Sequence, residues 1–411
     1  MTTQTQTETS WPELMGSKDW KGLLSPLDLS LRHLILRCGD FCQATYDAFN
    51  NDENSKYCGS SRYGKKDFFQ KVMLTNASQY QVACFLYATA KVSSGQAFLL
   101  RSRSREAWDR ESNWIGYIAT TTDEASAALG RREIYVAWRG TTRDYEWINV
   151  FDPKPASARP LLNQKNQELS GGNASSSSDE DEDLPKVMQG WLTIYNSDDP
   201  NSQFTKLSAR AQLMSKITQL LKKYEGENVS ITFAGHSLGA SLSVVSAFDL
   251  AENGVTVPIS AFIFGSPQVG DKRFNDKLKK FANVKILHIR NKIDLIPLYP
   301  SILLGYVNTG VELLIDTRKS PNLKDTKSPG DWHNLQTMLH IVDGWNGDKG
   351  EFELKVKRSL ALVNKSSAIL KEEYLIPGSW WVEKNKGMTI DENGEWGFAP
   401  PADEDLPVPE F

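Results

Sequence analysis

Between residues 204 and 291 the chain alternates between two kinds of segment, and this alternation restricts its fold more than any other feature. FTKLSARAQLMSKITQLLKKY (204–224) places apolar residues three and four apart, the spacing of one helix face. Val229 to Ala234 is β-branched and aromatic, Leu238 to Glu252 returns to helical spacing, and ISAFIFGSP reads as a strand. A short helix around Phe274 to Phe281 and a strand in VKILHIRN follow. Strands separated by helix-length segments form βαβ units, which assemble into a mostly parallel sheet flanked by helices. Upstream, GYIATT (116–121) and EIYVAWRGTT (133–142) predict two neighbouring strands, VMQGWL a further strand, and the stretch from Ser30, a suitable N-cap, to about Phe49 a helix.

Chemistry enters where the strand ending in AGH turns into the helix beginning LGASL. In G-H-S-L-G the glycines let the two backbones come close, which pushes Ser237 to the tip of a sharp turn and exposes its Oγ above the C-terminal edge of the sheet. The Leu238 backbone N–H, at the start of a helix, then lies near any oxyanion formed on a bound acyl group. A pentapeptide with three fixed positions recurs by chance, and the alternative is an ordinary turn serine. The flanking strand and helix favour a nucleophile.

A serine hydroxyl needs a base. The chain has five histidines. His33 is far upstream, His236 lies inside the turn with its side chain expected to point away from Ser237, and His288 sits within a strand. His340 is embedded in LQTMLHIV, where packing or a structural hydrogen bond suits it. His333, in SPGDWHNL, approaches a helix from a loop and is the favoured base. Among the acids between Ser237 and His333, Asp294 follows VKILHIRN directly and leaves the sheet at the same edge as the serine. Asp331 is too close in sequence to His333, and Asp249 and Glu252 run away along the helix. An aspartate in NKIDLIP also suits a plain turn, but its position favours orienting the base.

At 411 residues the chain can bury a large core. Its formal charge of −4 includes −5 from the run Asp179 to Asp183, leaving (−4) − (−5) = +1 elsewhere. A body so near neutrality argues against nucleic acid as a partner. MTTQTQTETSWPELMGSKDW lacks the apolar core of a secretory signal, and no run approaches the length of a membrane span, so the expectation is a cytoplasmic protein. There, Cys38, Cys42, Cys58 and Cys84 are expected to be free thiols. Residues 1–25 read as a flexible or loosely docked leader, 26–395 as one domain, and 396–411 as an acidic, proline-rich tail. Within the domain, about residues 165–185, including GGNASSSSDEDEDLP, read as a disordered insertion.

AWRGTTRDYEW (137–147), AGHSLGASL (234–242), FGSPQVGD (264–271), NKIDLIP (291–297), DWHNLQTMLHIVDG (331–344) and PGSWWVEKNKGM (377–388) together resemble the class 3, fungal-type lipases, and most closely the plant phospholipase A1 group II enzymes. The resemblance implies an α/β-hydrolase fold and a triad of Ser237, Asp294 and His333. It makes Thr141, in the family's RG(S/T) element, the second oxyanion donor beside Leu238. It also implies a lid beginning at Trp147 and running to about Pro160. One departure is Gln189, where many relatives carry a histidine that is not a triad member.

The implied activity is hydrolysis of the sn-1 acyl ester of a glycerophospholipid such as phosphatidylcholine, at a membrane or micelle surface, without cofactor or metal. Monoacylglycerol, diacylglycerol and galactolipid remain alternative substrates, and a non-catalytic lipase-like scaffold is a further alternative. PLYPSILLGYV (297–307) suits either acyl-chain binding near the mouth or a buried strand. The sequence leaves the oligomeric state open.

Overall fold

The computed structural model describes residues 9–90, 99–142, 153–163, 183–381 and 388–398. Its central sheet has seven strands whose order across the sheet is their order along the chain. Tyr80–Ala88 (β1), Asn113–Thr121 (β2) and Arg132–Trp138 (β3) pair antiparallel. Val229–His236 (β4), Ile259–Phe264 (β5), Val284–Asn291 (β6) and Val311–Ile315 (β7) continue from β3 in parallel. The two central parallel strands, β4 and β5, are buried along their whole length because both faces are covered. Along β3, Ile134, Val136 and Trp138 enter a core shared with helices Ala209–Lys223 (α2) and Leu238–Glu252 (α3). Tyr135 and Ala137, pointing the other way, enter a second core with Leu29–Asp47 (α1) and Leu335–Gly344 (α4).

Apart from VMQGWL, the expected elements from β2 to β6 are present, and the differences have local causes. The Asp28 carboxylate, accepting from Leu31 N–H at 2.9 Å, caps α1 in place of Ser30. The Ser208 hydroxyl caps α2, so that helix begins five residues later than its apolar spacing suggests. VMQGWL is not one strand: Lys186–Met188 is extended, and Gln189–Asn196 is a helix that buries Trp191, Ile194 and Tyr195. PLYPSILLGYV is likewise not a buried strand. It forms two single turns, Ile296–Leu298 and Ile302–Leu304, before the short strand Tyr306–Val307.

The leader requires correction over its described part. From Trp11 onward it is docked: Trp20 is 1% exposed, packs edge-on against Phe262, and donates through its indole N–H to Leu14 O. Ser260 Oγ–H donates to Met15 O at 2.6 Å. A large indole offsets the polar composition that suggested mobility. At the other end, Trp396–Phe398 pairs with Met388–Ile390, so a domain boundary at 395 divides a hairpin. Trp147, most of the acidic insertion and the tail after residue 398 lie outside the described residues. The four cysteines are free, and burial raises the Cys38 thiol to about 12. Among the described residues no helix is long and apolar enough to cross a membrane.

Three buried histidines make acid stability predictable. Burial lowers His288 to about 3 and His340 to about 4, and holds His236 well below 6.5. Folded-state values below the unfolded value mean that the unfolded chain binds more protons between them, so stability falls as the pH drops below about 6.5. Each histidine contributes up to about 1.4 kcal/mol per pH unit. The denaturant midpoint at pH 5 should lie clearly below that at pH 7, and equal midpoints would contradict the burial.

Candidate active site

The strand β4 ends at His236 and α3 begins at Leu238, so Ser237 alone makes the turn. Its φ of 59° and ψ of −126° are a conformation that costs a non-glycine residue roughly 1–3 kcal/mol. The flanking glycines permit it by close approach. A Cβ on Gly235 would stand 2.2 Å from Gly239 O, and one on Gly239 would stand 2.2 Å from Trp138 O. Ser237 N–H donates to Phe264 O at 3.0 Å, which ties the turn to the end of β5. The residue is 2% exposed, and its Oγ has no hydrogen-bond partner among the described residues. A buried, unsatisfied hydroxyl on a strained turn contributes nothing to stability.

Asp294 and His333 meet beside this turn. His333 Nδ1 lies 2.6 Å from Asp294 Oδ2, and both residues are buried. The carboxylate is fixed by a second bond, Oδ1 accepting from Ile296 N–H at 2.9 Å. His333 sits between the helix Pro329–Trp332 and α4, its N–H donating to Pro329 O. Gly265 is where the three converge. It follows Phe264, which holds Ser237, and a Cβ on it would fall 2.9 Å from His333 Cε1 and 3.1 Å from Asp294 Oδ2.

The other histidines have partners elsewhere. His288 Nε2 accepts from Ser266 N–H at 3.0 Å, His340 Nε2 lies 2.7 Å from Ser320 Oγ, and His33 is exposed. Asp249 receives both a bidentate Arg210 and the Tyr195 hydroxyl. Gln189 donates to Thr193 Oγ1, one helical turn on.

Leu238 N–H is at the first position of α3, where the helix itself supplies no acceptor. Thr141 follows β3, and Arg139 fixes the chain ahead of it. Its Nε donates to Trp114 O, its Nη1 donates to Gly140 O, and its guanidinium lies 3.7 Å from the centre of the Phe49 ring. Burial lowers Arg139 to about 9.

Tyr46, on α1, is a member of this region that the sequence did not disclose. Its hydroxyl lies 2.8 Å from His236 Nδ1, while His236 Nε2 lies 2.6 Å from His333 O. A carbonyl only accepts, so Nε2 carries the His236 proton and Tyr46 donates to Nδ1. The Gly140 N–H in turn donates to the Tyr46 oxygen. Burial, and then the nearby His333 ring, hold His236 neutral. The resulting chain of hydrogen bonds joins the Thr141 turn to the main chain of His333. Nothing in the spacing of α1 marks one aromatic on its face as part of such a connection.

A strained serine between strand and helix, followed along the chain by a sheet-edge carboxylate and a histidine bonded to it, on a mostly parallel sheet flanked by helices, defines the class as an α/β-hydrolase. The family described as Lipase (class 3) matches residues 135–304. Phospholipase A1-IIdelta of Arabidopsis thaliana is 62% identical over 98% of this chain and 99% of its own length. Phospholipase A1-II 5 of Oryza sativa subsp. japonica is 49% identical over 97% of this chain and 84% of its own. The chain belongs to the plant phospholipase A1-II family of the class 3 lipases.

Proposed function

We propose that the protein is a lipid acyl hydrolase of phospholipase A1 type, releasing the sn-1 fatty acid of a glycerophospholipid through an acyl-enzyme on Ser237. The observation that carries this reading is the 2.6 Å contact of His333 Nδ1 with Asp294 Oδ2 beside the strained Ser237 turn. An ionised carboxylate only accepts, so Nδ1 holds the imidazole proton and Nε2 keeps the lone pair that a base needs. Ser237 loses its proton to His333 as Oγ bonds to the ester carbonyl carbon. The carbonyl electrons move to the oxygen, where the Leu238 and Thr141 N–H groups receive the charge, helped by the positive end of α3.

Collapse of this intermediate breaks the ester bond, and the lysophospholipid leaves with the proton from His333. Water then loses a proton to His333, attacks the acyl carbonyl, and frees the fatty acid and Ser237 Oγ–H. Asp294 balances the imidazolium in both halves. A lid that starts at Trp147 is the remaining part of this reading. We place the enzyme in the cytoplasm, meeting its substrate transiently at a membrane or micelle surface.

Phosphatidylcholine with distinguishable chains at its two positions tests the substrate. Fatty acid from sn-1 and a 2-acyl lysophospholipid are the expected first products. Release from sn-2 alone would overturn the assignment.

A further inference from the structure

Ten large apolar side chains stand exposed among the described residues, and five of them occur within ten consecutive positions: Leu295, Leu298, Ile302, Leu303 and Leu304. Leu303 is 92% exposed and Ile302 is 72% exposed. From Leu295 to Val311 the chain carries no charged residue. Exposed apolar side chains concentrated in this way on a folded chain usually mark a binding surface.

The segment is held rather than left loose. Ser301 adopts a φ of 142°, and its Oγ accepts from Leu303 N–H at 3.1 Å, which fixes the turn that displays Ile302 to Leu304. Behind the tip, Tyr306 is 1% exposed, donates to Pro153 O at 2.7 Å, and pairs in register with Asp271. Tyr299 O accepts from Gln268 N–H at 2.7 Å. The exposed side chains therefore project from an anchored base. That base begins at Leu295, one residue after Asp294, whose carboxylate holds His333, so the segment that displays the turn starts directly beside a residue of the candidate site.

We infer that the Ile302–Leu304 turn inserts into the hydrocarbon boundary of a phospholipid bilayer and holds the site mouth against the lipid surface. The inference rests on the lipid-hydrolase reading for its occupant. Lipid fits the turn's chemistry: the tip offers no charge for a headgroup or a charged protein rim, while acyl chains need only apolar area. Attraction that lacks a charged component requires no anionic lipid and is insensitive to salt.

The test is sedimentation with pure phosphatidylcholine vesicles, comparing the wild-type chain with the double variant Ile302→Ser/Leu303→Ser. Parallel assays measure a short, water-soluble ester and phosphatidylcholine hydrolysis. Losing the burial of one such side chain lowers partitioning about tenfold, so the double variant should partition roughly 100-fold more weakly. Its soluble-ester rate and thermal midpoint should match the wild type, and wild-type binding should be equal at low and high salt. Unchanged vesicle binding in the variant overturns the inference. A matching loss on the soluble ester would also overturn it, because the turn would then be a wall of the acyl site. A wild-type dimer in buffer that the double variant dissolves would overturn it in favour of a second copy as occupant. Wild type that binds vesicles through this turn yet hydrolyses neither substrate would instead overturn the hydrolase reading and leave the anchor standing.

Discussion

Replacing Ser237 with alanine is expected to lower phospholipid hydrolysis by about 10⁴- to 10⁶-fold while leaving the protein folded and its vesicle binding intact. The size of the loss follows from the chemistry. Without Oγ no acyl-enzyme forms, and His333 and Asp294 have no nucleophile to activate. Residual rate would come from substrate held at the Leu238 and Thr141 N–H groups and attacked directly by water. Stability is expected to hold or rise slightly. The substitution keeps the Cβ and the strained φ of 59°, but removes a buried hydroxyl without a partner among the described residues, which costs on the order of 1–3 kcal/mol. Initial rates on phosphatidylcholine, with thermal unfolding alongside, check both parts. Wild-type activity in the variant would place the nucleophile elsewhere.

The second large effect is expected for Asp294→Asn, a change of nearly constant shape. In the native protein Asp294 Oδ2 accepts from His333 Nδ1, and Oδ1 accepts from Ile296 N–H. An asparagine carbonyl can keep the bond to Ile296, which turns its NH₂ group toward His333. That group donates, so Nδ1 must become the acceptor and the ring proton moves to Nε2. The base is then blocked where it should face Ser237, and the imidazolium of the transition state loses its counter-charge. We expect kcat to fall by about 10⁴-fold with KM little changed. A loss under tenfold would mean that Asp294 serves the turn rather than the reaction.

The reading from sequence reached furthest where few residues could serve. Five histidines, a required chain order and the abrupt change from β4 to α3 were enough to nominate Ser237, Asp294 and His333; the structure pairs His333 with Asp294 and puts Ser237 on a strained turn tied to Phe264, the residue before Gly265. Fold class was legible because strand-like segments rich in β-branched and aromatic residues, β4 to β6, alternate with helical segments. Strand β1 was not legible. Its burial alternates weakly at the sheet edge, and its sequence YQVACFLYA is continuous with neither motif nor turn signal. Strand β7, at the opposite edge, was hidden for a similar reason behind the apolar run that precedes it.

Contacts between distant segments were the other blind spot. Trp20 against Phe262 turns a polar leader into part of the core, and Tyr46 against His236 links α1 to the site. Neither pair has a signature within its own segment, because the partners lie 262 − 20 = 242 and 190 residues apart along the chain and the sheet order decides whether they meet. The exposed turn at Ile302 to Leu304 was ambiguous for the converse reason. Apolar composition alone reads as burial, and only the fold places those side chains outside.

The most direct measurement of the central claim is covalent labelling by a fluorophosphonate, in which serine Oγ displaces fluoride from phosphorus, followed by mass spectrometry of the digested protein. The account predicts one rapidly formed adduct, on Ser237 within ITFAGHSLGASLS, and its loss in both Ser237→Ala and heat-unfolded protein. An adduct on a different residue, or undiminished phospholipid hydrolysis by fully labelled protein, would contradict it.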